Sequence, residues 1–276
     1  MDKTFELDLP TLSKLNFYVF VPALLFIKIL YADISLEQML NIILFSVLHF
    51  ILLLIFSFLL FSLSYFKENR KILTLGTVLI NVGNYGIPVI LFAFGDSYIG
   101  ILAVIIMVQN LFTFTLGPLI LQREKNSFRN YSKELIKIPS LYAIVIGFIL
   151  KGLNVKLIPQ IENPLIILAN GLISLALITL GIQLSRIKIQ KNLPQISILS
   201  ILRLSISPLL AFILVIIFGL SGILAAILIV AAGFPTAVNT YILSLEYEND
   251  YELASQLIFW TTLFSAVSVS ILLLIT

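Results

Sequence analysis

Two short polar stretches interrupt long apolar runs of the chain, and their side chains are suited to binding an anion. Residues 81–96 read NVGNYGIPVILFAFGD, and residues 231–245 read AAGFPTAVNTYILSL. Asparagine and threonine supply neutral hydrogen-bond donors, while glycine and proline interrupt a helix. A helix that restarts after a proline presents unpaired amide groups with partial positive charge, which favours a carboxylate. The sequence therefore predicts a site for a small organic anion at two helix interruptions.

Eight residues are predicted to form this site. Pro88 and Pro235 mark the interruptions, and a gapless alignment of the two prolines also places Gln109 opposite Gln256. Each proline has an alternative interpretation as an ordinary kink, and each polar side chain as an interhelical hydrogen bond. The glutamines either line the site or join neighbouring helices. The predicted substrate-binding residues are Asn81, Asn84, Pro88, Pro235, Thr236, Asn239, Gln109 and Gln256.

The elements that position these residues are predicted to be membrane-spanning helices. Of the 276 residues, 60% are hydrophobic and 11% are charged, whereas about a quarter of the residues in a soluble domain are charged. A membrane-spanning helix needs about 20 apolar residues. The composition and these lengths predict an all-α polytopic membrane protein with about nine transmembrane helices, at residues 13–32, 39–63, 72–95, 98–121, 138–153, 165–184, 196–219, 222–245 and 253–275.

The distribution of basic residues between the loops predicts the orientation. Cytoplasmic loops are enriched in lysine and arginine. The loops on the other side carry Lys151 and Lys156. We therefore expect a multi-pass protein of the cell membrane with a cytoplasmic N-terminus and an external C-terminus. The basic residues assigned to the cytoplasm are Lys67, Arg70, Lys71, Arg123, Lys125, Arg129, Lys133, Lys137, Arg186, Lys188 and Lys191.

The two interrupted helices indicate an internal repeat. The longest loop, residues 122–137, follows four predicted helices and precedes five. Interrupted segments in corresponding halves are typical of transporters built from inverted repeats, whose substrate site lies near the middle of the membrane. We predict a first repeat over residues 1–135 and a second over residues 136–276. The first repeat then lacks its opening helix.

The ionisable side chains within the predicted helices include those of Arg203, Lys28 and His49. Arg203 either extends to the nearby membrane surface, which is the favoured interpretation, or attracts an anion. Lys28 is expected to reach the surface at the outer end of the first helix. His49 is the only histidine, and helix packing is favoured over a role in proton coupling.

Several motifs together resemble the auxin efflux carrier family. They are TLSKLNFYVFVPALLF near the N-terminus, NVGNYGIP, LGIQL at 180–184, RLSISPLL at 203–210 and PTAVNTYILSLEYENDYELASQ near the C-terminus. The resemblance implies ten helices in two inverted sets of five, with the fourth and ninth crossing at paired prolines. Here these would be the third and eighth. It also implies that helices two to four and seven to nine move against a scaffold of helices one, five and six, which allows a homodimer contact.

The combined interpretation is a secondary transporter of small organic anions such as carboxylates, working by alternating access. The alternative is a sodium-coupled symporter of the bile-acid type, but neither interrupted helix contains an acidic residue to bind sodium. We find no paired carboxylates, phosphate-binding loop or nucleophile elbow, so an enzyme is not predicted. We expect no cofactor, no metal and no nucleic-acid partner; the partners are the anion and the lipid bilayer.

Overall fold

The computed structural model describes residues 8–32, 34–121, 138–185 and 193–276, and nearly all regular structure in these ranges is helical. Six of the described helices are long and apolar enough to cross a membrane. A seventh apolar helix, α5, is shorter and covers Pro139–Gly152. The six are α1 (Thr11–Leu30), α2 (Leu36–Leu60), α4 (Asp96–Leu121), α6 (Pro159–Ile182), α7 (Pro194–Ile217) and α9 (Tyr251–Ile275).

The third and eighth helices are each broken into two halves. Helix α3a covers Arg70–Val78, and α3b covers Val82–Phe94. Helix α8a covers Gly222–Ala232, and α8b covers Asn239–Glu246. With these two broken helices, the described residues account for the nine predicted spans and confirm an all-α polytopic membrane protein. Residues 122–137 and 186–192, which were predicted to be loops, and the basic residues assigned to them lie outside the described residues.

Local sequence explains several helix ends and turns. Helix α2 begins with a reciprocal cap, in which the Ser35 hydroxyl accepts from the Gln38 amide and the Gln38 side chain accepts from the Ser35 amide, both at 3.1 Å. Helix α9 begins similarly, because the Asp250 carboxylate accepts a hydrogen bond from the Leu253 amide at 2.8 Å. These contacts satisfy amide groups that have no partner within the helix.

Three of the helices in the described ranges contain one widened π turn, and a proline follows each turn by two residues. The turns cover Asn16–Phe20, Val82–Gly86 and Leu202–Ile206, ahead of Pro22, Pro88 and Pro208. Proline has no amide hydrogen, and its ring collides with the carbonyl four residues earlier. A wider turn moves that carbonyl away, so the helix continues through the proline. Each of these prolines therefore marks a widened turn and not the end of a helix.

The helices pack in two groups. Helix α1 packs closely against both α5 and α6, and the remaining helices pack around the two broken ones. Close packing of the first group depends on small residues: a Cβ atom on Gly147 of α5 would lie 3.1 Å from Ile29 Cγ2 of α1. Helix α6 also contacts the π turn that opens α3b. This turn therefore lies at the boundary between the two groups.

The two groups are also joined at one end of the bundle. The Lys28 ammonium of α1 forms an ion pair with the Asp96 carboxylate, which follows α3b. Lys151 at the end of α5 donates hydrogen bonds to the carbonyls of Ala32 and Ile34, at 2.6 and 2.9 Å. Lys28 thus lies near one end of the helix bundle, paired with a carboxylate that is largely exposed.

Candidate functional site

The two broken helices cross through their unwound segments. The Asn81 amide donates to the Pro235 carbonyl at 2.9 Å, and the Ala237 amide donates to the Leu79 carbonyl at 2.8 Å. Between these bonds, Ile80 and Thr236 form an isolated antiparallel bridge. Unpaired backbone groups are costly inside a membrane, so each unwound segment supplies the partners that the other lacks. A short two-stranded pairing therefore stabilises the crossing.

The first interruption lies earlier than the sequence predicted. Helix α3a ends at Val78, and the unwound residues come nine to seven positions before Pro88, which is buried inside α3b after the π turn. In α8, by contrast, Pro235 itself belongs to the unwound segment. The prediction that Pro88 marks the interruption is wrong, because the widened turn accommodates this proline.

The gapless alignment of the two prolines is wrong for the same reason. The ends of α3a and α8a, Val78 and Ala232, are 154 residues apart, whereas the prolines are 147 apart. With the spacing of the helix ends, Gln109 corresponds to Leu263 and not to Gln256. The two glutamines are therefore not equivalent positions of the repeat.

Arg203 binds the carbonyl ends of both broken helices. Its side chain is fully buried. Its Nη1 donates to the Thr77 carbonyl near the end of α3a at 2.8 Å, and its Nε donates to the Phe234 carbonyl beyond α8a at 2.9 Å. Its Nη2 donates to the Ala232 carbonyl at the end of α8a. The favoured interpretation, that Arg203 extends to the membrane surface, is wrong. The side chain instead binds carbonyls at the crossing, because these helix ends carry partial negative charge.

Neutral side chains also donate to carbonyls on this side of the crossing. Gln109 Nε2 donates to the Val78 carbonyl at 3.1 Å, and the Ser207 hydroxyl donates to the Ala232 carbonyl at 2.7 Å. The His49 Nε2 atom lies 3.1 Å from the Ser207 carbonyl, and its ring stacks on Phe45. His49 thus has the contacts of a helix-packing histidine, and Gln109 binds backbone at the carbonyl end of α3a.

A small cavity lies beside these carbonyl ends. Its volume is about 20 Å³, and its lining includes His49, Gln109, Val78, Ile80 and Ala232. That volume accommodates about one water molecule. In this conformation the cavity is too small for an organic anion.

The amide ends of the broken helices carry three asparagines. Asn81 directly precedes α3b, is 5% exposed, and its side-chain Nδ2 has no hydrogen-bond partner among the described residues. Asn84 lies in the first turn of α3b, and Asn239 is the first residue of α8b. Both are half-buried, and within the described ranges no hydrogen bond to either side chain is found. These three amides are therefore free to donate to a ligand.

Thr236 and Gln256 have different surroundings. The Thr236 hydroxyl donates to the Gly76 carbonyl at 2.7 Å, and the Thr236 amide donates to the Thr261 hydroxyl at 3.1 Å. Its hydroxyl hydrogen is therefore committed to backbone. Gln256 is buried on α9, which packs against α8b, and its Oε1 has no partner among the described residues. Among the described residues, no hydrogen bond joins Gln256 to Gln109.

Sequence reasoning did not single out two buried polar residues, Ser207 beside the crossing and Asn16 on α1. Ser207 was not singled out, although it lies four residues after Arg203 and thus on the same helix face. Asn16 on α1 is 3% exposed, and neither of its side-chain amide atoms has a partner in the described part of the chain. A buried asparagine in a membrane helix was a signal that could have identified Asn16.

Comparisons with known proteins agree with this architecture. A family model described as "Membrane transport protein" matches residues 9–134 and 126–273. An uncharacterized transporter of Methanocaldococcus jannaschii is 28% identical over 270 residues, which cover 94% of this chain and 87% of that protein. An uncharacterized transporter of Methanothermobacter thermautotrophicus is 27% identical over 274 residues, covering 95% and 87%. The chain therefore belongs to the membrane transport protein family, which is the auxin efflux carrier family.

Proposed function

We propose that the protein is a secondary transporter of small organic anions such as carboxylates, which it binds at the amide ends of α3b and α8b. The observation that carries this proposal is the buried Nδ2 of Asn81, which has no partner among the described residues at the start of α3b. An unpaired buried donor costs about 1–3 kcal/mol, so a ligand that accepts its hydrogen bond is favoured. Asn84 and Asn239 add two more amide donors at the same helix ends.

The charge of the site supports an anion over a cation. Helices α3b and α8b begin at the crossing, and each helix start carries about half a positive elementary charge. No aspartate or glutamate lies in residues 70–94 or 222–245, so neither broken helix offers a carboxylate to a sodium ion before Glu246. This absence supports an anion carrier without sodium coupling over the alternative, a sodium-coupled symporter of an organic anion. We assign the chain no catalytic role.

Alternating access would move one packing group against the other. In this proposal α2–α4 and α7–α9 carry the crossing, while α1, α5 and α6 form the scaffold and a dimer contact. The two packing groups support that division, and the start of α3b lies where they meet. The ion pair between Lys28 and Asp96 would have to separate when the crossing becomes accessible from that end.

Uptake by proteoliposomes tests the substrate class. We expect a labelled carboxylate from a panel of mono- and dicarboxylates to accumulate when the interior is made positive, since 100 mV is worth about 2.3 kcal/mol per charge. The uncharged carboxamide of the same acid is the control and should not respond to voltage. Failure of every carboxylate to enter would contradict the proposal. Uptake that requires sodium at constant voltage would favour the bile-acid type of symporter.

The proposed orientation has a separate test. Because positively charged loops stay in the cytoplasm, we expect a reporter fused after Lys125 to lie inside the cell and one fused after Thr276 to lie outside. Accessibility of each reporter to a membrane-impermeant reagent in intact cells gives the answer. The opposite result at both positions would reverse the orientation without affecting the fold.

A further inference from the structure

We propose that Arg203 is a fixed cation that neutralises the carbonyl ends of both broken helices and thereby makes the crossing selective for anions. The inference rests on the proposed function, because it explains why a carboxylate is preferred over an uncharged analogue. Arg203 would not touch the substrate. It is a positioning residue that sets the charge of the site from the opposite side of the crossing.

The contacts of Arg203 are those expected of a cation that balances the partial negative charge of the two carbonyl ends. All three of its nitrogen atoms donate to backbone carbonyls: Thr77 belongs to the first broken helix, and Ala232 and Phe234 to the second. A fully buried arginine normally needs a carboxylate partner, because the desolvation of its charge is expensive. Here the carbonyl ends of α3a and α8a take the place of that carboxylate.

A count of partial charges explains the preference for anions. Each helix end carries about half an elementary charge, so the two carbonyl ends together contribute about −1 and the two amide ends about +1. Arg203 balances the carbonyl ends. The amide ends are left with about one uncompensated positive charge, since residues 70–94 and 222–245 contain no acidic side chain. This uncompensated positive charge is equal in size to the negative charge of one carboxylate.

The neighbours of Arg203 do not supply this charge in its place. Gln109 and Ser207 are neutral and already donate to the Val78 and Ala232 carbonyls. His49 is held against the Ser207 carbonyl at 3.1 Å. Without Arg203 the partial charges of the carbonyl and amide ends would balance each other. The affinity for an acid would then be little higher than the affinity for its uncharged carboxamide.

A purely structural role for Arg203 predicts a different result. If the side chain only joins the two helices, its loss weakens the binding of an acid and of its amide to the same degree. If it sets the charge, the acid loses affinity and the amide does not. The ratio of the two affinities therefore separates the alternatives independently of protein stability.

The experiment compares Arg203→Gln, which keeps donors and removes the charge, with Arg203→Lys, which keeps the charge. We expect the ratio of acid to amide affinity, measured by calorimetry with the tightest-binding carboxylate of the panel, to fall about tenfold in Arg203→Gln and to persist in Arg203→Lys. Arg70→Ala is the matched control, because Arg70 opens α3a and lies 3.7 Å from the Phe58 ring centroid, away from the crossing. An unchanged ratio in Arg203→Gln would overturn the inference.

A second measurement needs no substrate. In Arg203→Ala the carbonyl ends lose their cation, so millimolar methylguanidinium should raise the melting temperature of this variant and leave the wild type and Arg70→Ala unchanged. Absence of that stabilisation would contradict a cation site between the two carbonyl ends. Because this result does not depend on carboxylate binding, a wild type that binds no carboxylate would refute the proposed function alone.

Discussion

Alanine at Asn84 or at Asn239 is expected to lower the affinity for the transported carboxylate by about 10- to 150-fold. Both residues lie at amide ends of the broken helices, and both are half-buried. A hydrogen bond to a charged group is worth about 1.5–3 kcal/mol, and each 1.4 kcal/mol corresponds to a factor of about ten. Calorimetry on the purified variants measures the loss directly.

An asparagine that only joins helices behaves differently. Such a hydrogen bond in a membrane protein averages about 0.6 kcal/mol, and its removal would lower stability slightly while affinity stays almost constant. Asn69→Ala is a suitable control, because the Asn69 side chain donates to Gln195 at 2.8 Å at the far end of α3a. Normal affinity in both Asn84→Ala and Asn239→Ala would remove these residues from the site.

The number and kind of helices could be predicted because the signals are local. Each span is a continuous apolar run, and its length and charge can be counted directly along the chain. The prediction of 72–95 for the third helix agrees with Arg70 to Phe94 within two residues. The eighth helix was also interpreted correctly, because Gly233 and Pro235 lie in its unwound segment.

The position of the first interruption could not be predicted, because its cause lies elsewhere in the chain. Leu79, Ile80 and Asn81 include no proline or glycine, and they leave the helix because their backbone pairs with the segment from Pro235 to Ala237. Pro88 was the stronger local signal, but a proline in a membrane helix has two outcomes, an interruption or a widened turn. Only the partner segment decides between them.

Arg203 illustrates the same limit for side chains. An arginine nine residues into an apolar run reaches the membrane surface if nothing nearby accepts its hydrogen bonds. Its actual acceptor on the first broken helix is Thr77, which is 126 residues away in the sequence. The depth of Arg203 in the membrane can be predicted from its position in the apolar run. The acceptors of its hydrogen bonds cannot, because they depend on where two other helices end.

The glycine at position 86 allows the two broken helices to pack closely, and alanine there should destabilise the crossing. The added Cβ would lie 2.5 Å from Phe234 Cε2, well inside van der Waals contact. The Phe234 ring is fully buried and packs edge to face against Tyr85 at 5.5 Å, and Arg203 holds its carbonyl. Overpacking of this kind costs about 1–3 kcal/mol.

Gly233→Ala provides the matched comparison, because it adds the same atom next to a different neighbour. Its Cβ would overlap with Leu272 Cδ1, the end of a partly buried leucine that can change its rotamer. We therefore expect Gly86→Ala to lower the free energy of unfolding in detergent more than Gly233→Ala. Phe234→Leu, combined with Gly86→Ala, should cost less than the sum of the two single changes, since the smaller side chain makes room for the methyl group. Additive costs, or a larger loss in Gly233→Ala, would show that the Phe234 ring does not limit how closely the two broken helices approach.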